Sequence, residues 1–360
     1  MQQSLLLIIF IFIVLIATII FFTKEGFKTT DEEYELIKKY LLSESPLYGK
    51  NKPKIWIHTV YDINARNWSS FQSRNSRNLN QPFVEACVQS VIDHCSHDFN
   101  ILLINDETFS KLIPKWEFGD LSNVADPKKT HLRHYGLLML LYHYGGIIVP
   151  NSFICMRNFV SIFPTTNTPF VVETTNRTLF GSGGEIEFAP SIEFMGVRNK
   201  RDITIRKFLD ESYPWSGPTA PRYKGDTANK RDWETVGKLE IDAKVRENVA
   251  RNVKGGIWVG LDAELFGLRT NGTDSMDKTA IRLEDLMEDD YLDLSPELYG
   301  VLIDRAELLV RPKYQWLAYV GLDENGMLNG AVRNILAKYL NGALVDGMLV
   351  GQRGDGGIVV

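Results

Sequence analysis

The histidines are the residues whose spacing first suggests chemistry. All six lie within residues 58–143, and two pairs, His94 with His97 and His131 with His134, are separated by about one helical turn. Such pairs can place two imidazoles on one metal ion. A structural zinc site needs four ligands, however, and the cysteines show no Cys-x-x-Cys spacing that would complete one. We therefore expect these histidines to lie on helix surfaces or to line a groove.

Three common catalytic or cofactor-binding fingerprints are missing from the sequence. Gly181-Ser182-Gly183-Gly184 is not followed by the Lys-Ser/Thr of a phosphate loop. No Gly-x-Ser-x-Gly nucleophile elbow occurs, and residues 58–62, after the first predicted strand, contain no glycine for a dinucleotide fingerprint. These absences disfavour a P-loop NTPase, an α/β-hydrolase and a Rossmann dehydrogenase.

The charge and cysteine content exclude further classes. Forty Lys and Arg against 45 Asp and Glu give a net charge of −5, without a basic stripe that could neutralise nucleic-acid phosphates. We therefore expect no nucleic-acid partner. Cys87, Cys95 and Cys155 are odd in number, so they cannot all pair, and they do not fix the redox compartment.

The first half of the folded region alternates between strand and helix patterns. Apolar runs predict strands, and apolar residues at helical spacing, such as Phe83, Cys87, Val91 and Cys95, predict helices. The predicted elements are a strand over 53–60, a helix from Pro82, a strand over 99–104, a helix capped by Asp106 that runs to Ile113, a helix over 130–144 and a strand over 147–149. This alternation predicts an α/β fold with a mostly parallel sheet.

The end of the last of these strands is the expected position of a ligand site. Gly145-Gly146 ends the long helix, and Pro150-Asn151-Ser152 ends the strand that follows. Ligands of α/β sheets bind outside the carboxyl ends of the strands. Later in the chain the patterns predict strands over 170–173, 191–196, 255–260 and 314–320 and helices over 203–212, 233–253 and 331–340.

Three segments together resemble the nucleotide-sugar domain of GT-A glycosyltransferases. They are PKIWIHTV at 53–60, FNILLIND at 99–106 and LRHYGLLMLLYHYGGIIVPNS at 132–152. The most similar groups are the capsular-polysaccharide and mannosyltransferase-like enzymes with a DXD sugar-binding motif. The resemblance covers residues 53–160. It implies a GT-A-like (Rossmann-like) sheet flanked by helices, a nucleotide-sugar donor and a carbohydrate acceptor.

The sequence departs from that family at the metal-binding motif. In the family, Mn²⁺ or Mg²⁺ held at the DXD motif neutralises the departing diphosphate as a Lewis acid. Counted from Gly145-Gly146, the two acidic positions are Pro150 and Ser152, and neither is a carboxylate. The family's helix arginine lies about eight residues before the glycines and follows an Asp; Arg133 lies 12 before Gly145, and His131 stands where the acid is expected.

Three interpretations stay open. A transferase could work without metal and steady the diphosphate with Arg133, His131 or His134. Other residues, namely Asp126, Glu173, or Glu185 with Glu187, could instead hold Mn²⁺ or Mg²⁺. The third interpretation is a catalytically inactive pseudo-glycosyltransferase that still binds glycan or nucleotide.

The resemblance and the positions of the residues together suggest roles around the expected site. Arg133 is the expected diphosphate contact, and Glu173 and Glu193 are candidates for the catalytic base. Trp215 lies in a Pro-Gly loop and could stack on an acceptor sugar. The candidate substrate-binding residues are His58, Thr59 and Val60 for the nucleotide, His131 and His134 for the phosphates, Gly145 and Gly146 of the motif, Asn151 and Ser152 for the donor sugar, and Trp215.

The first 23 residues carry no charged side chain and predict a membrane anchor. Leu5 to Phe22 is an apolar run of 18 residues that only Thr18 interrupts. As a helix it would be about 27 Å long, close to the roughly 30 Å of a bilayer's hydrocarbon core. Residues 1–4 are not basic and no small-residue cleavage site follows, so we expect an uncleaved single-pass transmembrane helix in contact with the lipid bilayer.

The remaining chain divides into a stalk over 24–51, a GT-A-like domain over 52–345 and a flexible tail over 346–360. A short charged helical stretch is predicted within the stalk, from Asp31 to Tyr40. Lys24 and Lys28 after the apolar run favour a cytosolic domain. The glycosylation triplets that begin at Asn67, Asn176 and Asn271 favour the opposite side. Orientation and compartment therefore stay open.

Overall fold

We describe the protein from a computed structural model. The structure describes residues 30–42, 51–59, 82–124, 128–163, 168–173, 190–212, 258–261 and 263–267, together with parts of 281–335, among them 283–289, 297–303 and 311–314. The chain divides into two compact units, residues 1–39 and 40–360. The predicted anchor and tail and the predicted helix over 233–253 lie outside the described residues.

The first unit contains helix α1 (Thr30–Ile37), as the charged stretch predicts. Asp31, Glu32 and Glu33 occupy its first turn, where negative charge stabilises a helix through the macrodipole. Among the described residues no helix is long and apolar enough to cross a membrane.

The second unit is a mixed α/β structure. Its helices are α2 (Pro82–Cys95), α3 (Asp106–Leu112), α4 (Lys128–Tyr144), α5 (Ile203–Ser212) and α6 (Leu283–Glu288). Its strands are β1 (Lys54–His58), β2 (Asn100–Ile104), β3 (Gly146–Val149), β4 (Phe153–Cys155), β5 (Phe170–Glu173), β6 (Pro190–Val197), β7 (Val259–Leu261) and β8 (Gly300–Leu302). Short 3-10 turns occur at Lys38–Tyr40, Leu121–Asn123, Phe159–Ser161 and Ala263–Phe266.

Six strands form the central sheet in the order β2-β1-β3-β6-β5-β7. Strand β6 runs antiparallel to both of its neighbours, and the other pairs in the sheet are parallel. This confirms the predicted mostly parallel sheet, which is compatible with a glycosyltransferase-like fold. Strands β4 and β8 pair separately as an antiparallel ribbon.

Strand β1 shows how the sequence builds both layers around the sheet. Ile55 and Ile57 belong to the apolar core that includes α2 residues such as Phe83 and Val91. Trp56 points to the other face, where its indole N–H donates to the Gly145 carbonyl at 2.9 Å and its ring contacts Tyr144. Because side chains alternate along a strand, one five-residue strand packs against helices on both sides.

Among the described residues most predicted elements are present, and most of their bounds lie within two residues of the expected ones, whereas two assignments are wrong. Tyr314 does not begin a strand: its N–H donates to Arg311 O and the Leu317 N–H donates to Tyr314 O, so consecutive turns form after Pro312. Asp106 is not the cap of α3. Asn105 is the N-cap, because its extended backbone precedes the first helical residue.

Candidate functional site

The strand order creates a topological switch point at one edge of the sheet. Strand β1 pairs with β2 on one side and with β3 on the other, so the chain winds away from β1 in opposite directions. Ligands of α/β folds bind at such a switch point, outside the carboxyl ends of the strands. His58 is the last residue of β1, and Asn151 and Ser152 follow β3. The tripeptide Pro150-Asn151-Ser152, which the sequence predicts to end this strand, therefore lies at the edge where a ligand site is expected.

A three-residue ion-pair cluster occupies this edge. Arg133 Nε donates to Asp106 Oδ1 at 2.8 Å, and Arg133 Nη2 donates to Asp106 Oδ2 at 2.7 Å, which is the bidentate geometry of a strong ion pair. His58 Nε2 lies 3.0 Å from Asp106 Oδ1. The exposed fraction of these side chains is only 12% for His58 and 18% for each of the other two. One carboxylate therefore orients both a guanidinium and an imidazole.

The cluster holds Asp106 ionised. Burial by itself would raise the pKa of this carboxyl, but the hydrogen bonds to His58 and Arg133, with the charge of both groups, outweigh burial and hold the pKa well below its ordinary range. Asp106 offsets the charge of Arg133. The pair therefore offers an anionic ligand hydrogen-bond donors rather than a net positive charge.

Helix α3 brings Asp106 to the site. It begins directly after β2, and its N-cap is fixed by Thr108, whose hydroxyl accepts from the Asn105 N–H at 3.1 Å and donates to the Asn105 side chain at 2.8 Å. Phe109, one turn along, stacks on the His58 ring with the planes 7° apart. The side chain of Asp106 is thereby directed to the end of β1.

Helix α4 supplies Arg133 and a second histidine. Gly136 lets α4 approach α3, since a Cβ there would lie 2.8 Å from the Phe109 ring. His134 is buried, and its Nε2 lies 3.4 Å from Glu193 Oε1. The Glu193 side chain is 55% exposed. A buried imidazole thus contacts an accessible carboxylate.

Glu193 reaches the same edge because β6 is antiparallel. Ile148 of β3 pairs with Met195, so the register places Glu193 beside Pro150. Glu173, at the carboxyl end of β5, is almost fully buried, with 1% exposure. The sheet therefore gathers His58, Glu173, Glu193, Asn151 and Ser152 at one edge although they are distant in sequence.

The tripeptide itself is well anchored. The carbonyl of Pro150 accepts from the Phe153 N–H at 3.2 Å, and the carbonyl of Ser152 accepts from the Ile303 N–H at 3.1 Å. Ser152 is buried and Asn151 is half-buried. Thr59, directly after β1, is buried and donates its N–H to Ile104 O at 2.9 Å.

The structure does not bring every predicted site residue to this edge. Gly145 and Gly146 lie at the amino end of β3, at the opposite edge of the sheet, where they link α4 to β3. His131 is half-buried on α4, two residues before Arg133. Val60, Trp215 and the alternative metal ligands Asp126, Glu185 and Glu187 lie outside the described residues.

The described residues do not fit a divalent metal at the tripeptide. Pro150 has no ligating side-chain atom, and a serine hydroxyl with an amide offers no anionic oxygen for a hard cation. Within the described ranges no group of three His, Cys, Asp or Glu side chains is close enough together to hold a metal ion.

Asp106 is the residue that sequence reasoning missed as part of the site. Its position directly after a buried strand was a usable signal, because the carboxyl ends of parallel strands share one edge. The helix-start pattern favoured a capping role instead. Only the spacing between α3 and α4 shows that its partner is Arg133, 27 residues away.

No family model and no curated protein sequence matches the chain. Among the solved structures that are similar to the chain are two glycosyltransferases. One, PaToxG glycosyltransferase, shares 15% identity over 60% of this chain and 73% of that chain, with a TM-score of 0.32. The other, apo glycosyltransferase GlyE of Streptococcus pneumoniae TIGR4, shares 11% identity over 80% of this chain and 60% of that chain, also at 0.32. Structural similarity at a TM-score of 0.32 does not define the function of the chain.

Proposed function

We propose that this chain is a glycosyltransferase-like protein that binds a nucleotide sugar at the switch-point edge and transfers the sugar to a hydroxyl acceptor without a bound metal. The observation that carries the proposal is the gathering of the Arg133–Asp106–His58 cluster and the His134–Glu193 pair at the carboxyl ends of β1 and β3. The resemblance of residues 53–160 to nucleotide-sugar domains supports the same donor class.

We propose a role for each group in the transfer. Arg133 and His58 donate hydrogen bonds to the diphosphate, whose charge grows as the bond between the sugar's anomeric carbon and the phosphate oxygen breaks. Asn151 and Ser152 line the position of the donor sugar. Glu193, accessible and in contact with His134, accepts the proton of the acceptor hydroxyl as its oxygen bonds to the anomeric carbon.

A second candidate function is binding without transfer. Two observations favour it: the tripeptide lacks carboxylates, and Asp106 offsets the charge of Arg133. A pseudo-glycosyltransferase of this kind would bind a nucleotide or glycan at the same edge and leave the sugar in place.

Donor binding and turnover, with and without EDTA, separate these functions. We expect the full chain to bind a member of a nucleoside-diphosphate-sugar panel and to release nucleoside diphosphate equally in both conditions. Turnover that EDTA abolishes and Mn²⁺ restores would overturn the metal-free mechanism. Binding without turnover supports the second candidate, and the absence of binding to every donor overturns both.

Arg133→Lys tests the diphosphate contact. Lysine keeps the positive charge but loses the planar fork, so we expect donor affinity to fall roughly 10- to 100-fold. Isothermal titration with the donor measures this change. Arg206→Lys is the matched control, because Arg206 pairs with Asp210 on the surface of α5. Equal affinities for the Arg133 variant and wild type would remove Arg133 from the site.

Glu193→Gln tests the base. Since Gln cannot accept the proton, we expect kcat to fall by about 10²- to 10⁴-fold with donor affinity unchanged. The matched control is Asp210→Asn, an exposed carboxylate on α5. A kcat within twofold of wild type would exclude Glu193 as the base.

A further inference from the structure

Two buried thiols lie close together in the apolar core of the second unit. Cys95 is the last residue of α2 and Cys155 is the last residue of β4; both belong to the apolar core that α2 covers, and neither is exposed. Their sulfur atoms are 3.9 Å apart, although 60 residues separate them in sequence. This juxtaposition is independent of the proposed transferase activity.

The contacts around the pair orient both sulfurs toward each other. Cys155 Sγ donates to the Arg157 carbonyl at 3.2 Å, which leaves its lone pairs to accept from the Cys95 thiol. The backbone of Cys155 is itself fixed, because its N–H donates to Ser90 Oγ at 2.7 Å and the Ser90 hydroxyl donates to Cys87 O at 2.6 Å. These contacts hold the end of strand β4 against helix α2.

Rotation about the Cα–Cβ bonds can change a sulfur separation of this size. Disulfide sulfurs are about 2.05 Å apart, so the two atoms must approach by about 1.9 Å.

Cys87 lies two helical turns before Cys95 on the same buried face of α2, and its thiol provides a matched, equally buried comparison.

We propose that Cys95 and Cys155 form a redox-sensitive pair that closes to a disulfide when the chain meets a thiol–disulfide oxidant. One cysteine thiolate attacks the disulfide of the oxidant and releases one thiol; the other thiolate then displaces the second thiol from the mixed disulfide. Two protein thiols and one small disulfide thus become one protein disulfide and two small thiols. The bridge fastens the end of α2 to β4, the strand that directly follows Asn151-Ser152.

Burial controls when this exchange starts. Burial raises the pKa of the Cys155 thiol well above its ordinary value. The reactive thiolate is therefore scarce in the closed fold. Closure of the bridge then proceeds either through local opening of the β4–β8 ribbon or during folding, before the thiols are covered.

Refolding in a glutathione redox buffer tests the pair without requiring access to the closed core. The full chain is unfolded in urea with reductant, refolded with oxidised and reduced glutathione, and quenched by acid. We expect the count of free thiols to fall from three to one, the mass to fall by about 2 Da and the bridged peptides to contain Cys95 and Cys155. The bridge should raise Tm by several degrees, since it closes a long loop.

Single-cysteine variants complete the test. Cys87→Ser should still form the bridge, whereas Cys95→Ser and Cys155→Ser should keep two free thiols. Three free thiols in refolded wild type, a stable glutathione adduct in place of the bridge, or a bridge that includes Cys87 would each overturn the proposal. Because the readout is mass and thiol count, these outcomes are distinct from a failure of the transferase assays.

Discussion

At the scale of single residues, the site is organised by one carboxylate. Asp106 receives two hydrogen bonds from Arg133 and lies 3.0 Å from His58 Nε2. Neither partner is near it in sequence. The same residue thus orients a strand-end imidazole and a helix guanidinium, and it limits the net charge that the pair offers to an anionic ligand.

Removal of this carboxylate should destabilise the fold in a pH-dependent way. Asp106→Asn breaks a largely buried ion pair, so we expect a loss of about 2–3 kcal/mol in the free energy of unfolding at pH 7. Since the folded-state pKa of Asp106 is depressed, its contribution is full above the ordinary value of 3.8 and declines as the pH falls below it. Urea unfolding at several pH values measures the difference.

Asp210→Asn is the control for that experiment. Its carboxylate is 61% exposed and pairs with Arg206 on the surface of one helix. We expect a change below about 0.5 kcal/mol. If Asp106→Asn were as mild as Asp210→Asn, the bidentate pair would contribute nothing to stability.

Glu85 in the first turn of α2 should have the opposite pH dependence. Burial raises the pKa of this carboxyl to about 7. Its folded-state pKa lies above the unfolded one, so the folded state loses stability as the pH rises from about 4.5 to 7. We expect Glu85→Gln to stabilise the protein by about 1–3 kcal/mol at pH 8 and to have little effect at pH 5. Thermal melts at the two pH values measure this; equal effects at both would contradict the assignment.

At the scale of elements, the link between α4 and β3 depends on two glycines. Gly145 and Gly146 have φ angles of +67° and +106°, and a Cβ on Gly146 would lie 2.3 Å from the Lys54 carbonyl oxygen. The sequence predicts that these glycines stop the helix. Their second role, close contact with the neighbouring strand, depends on the pairing of β3 with β1.

Gly119 and Gly146 both have a positive φ, and a comparison of the two separates the cost of backbone strain from the cost of a steric clash. Gly119 has a φ of +66°, and no atom lies within 4 Å of an added Cβ. Gly119→Ala should therefore lower the free energy of unfolding by only about 1–2 kcal/mol. Gly146→Ala adds a clash with backbone, and we expect it to cost at least about 3 kcal/mol or to prevent folding. Chemical unfolding of both variants measures the costs. Equal values would show that β1 and β3 can separate at little cost.

At the scale of the whole molecule, the sheet order decides the position of the site. The switch between β2 and β3 around β1 defines this edge, and the antiparallel β6 brings Glu193 to the same edge. The predicted anchor would hold this site at a membrane surface, where a transferase could meet membrane-associated acceptors.

The predicted anchor can be tested on the full chain. We expect the full chain to remain with membranes after alkaline carbonate extraction, because an 18-residue apolar run matches the bilayer core. A chain that begins at residue 24 should be released. Release of the full chain by carbonate would refute the anchor, and retention of the shortened chain would show that another part of the protein binds the membrane.

The sequence by itself determined the elements and one half of the site. Apolar periodicity located most strands and helices because burial imposes a period on each, and the strand-ending Pro150-Asn151-Ser152 indicated the edge that we propose as the ligand site. The turns at Tyr314 were missed, since a local apolar run does not reveal the turn hydrogen bonds that follow Pro312.

Only the tertiary structure decided which residues meet. Asp106 and Arg133 are 27 residues apart, His134 and Glu193 are 59 apart, and Cys95 and Cys155 are 60 apart. Such contacts depend on strand order and on how closely two helices approach, as Gly136 permits between α3 and α4. Local sequence patterns indicate whether a residue is buried. Long-range pairing depends on the packing of the whole core, and the contacts of the candidate site are of this long-range type.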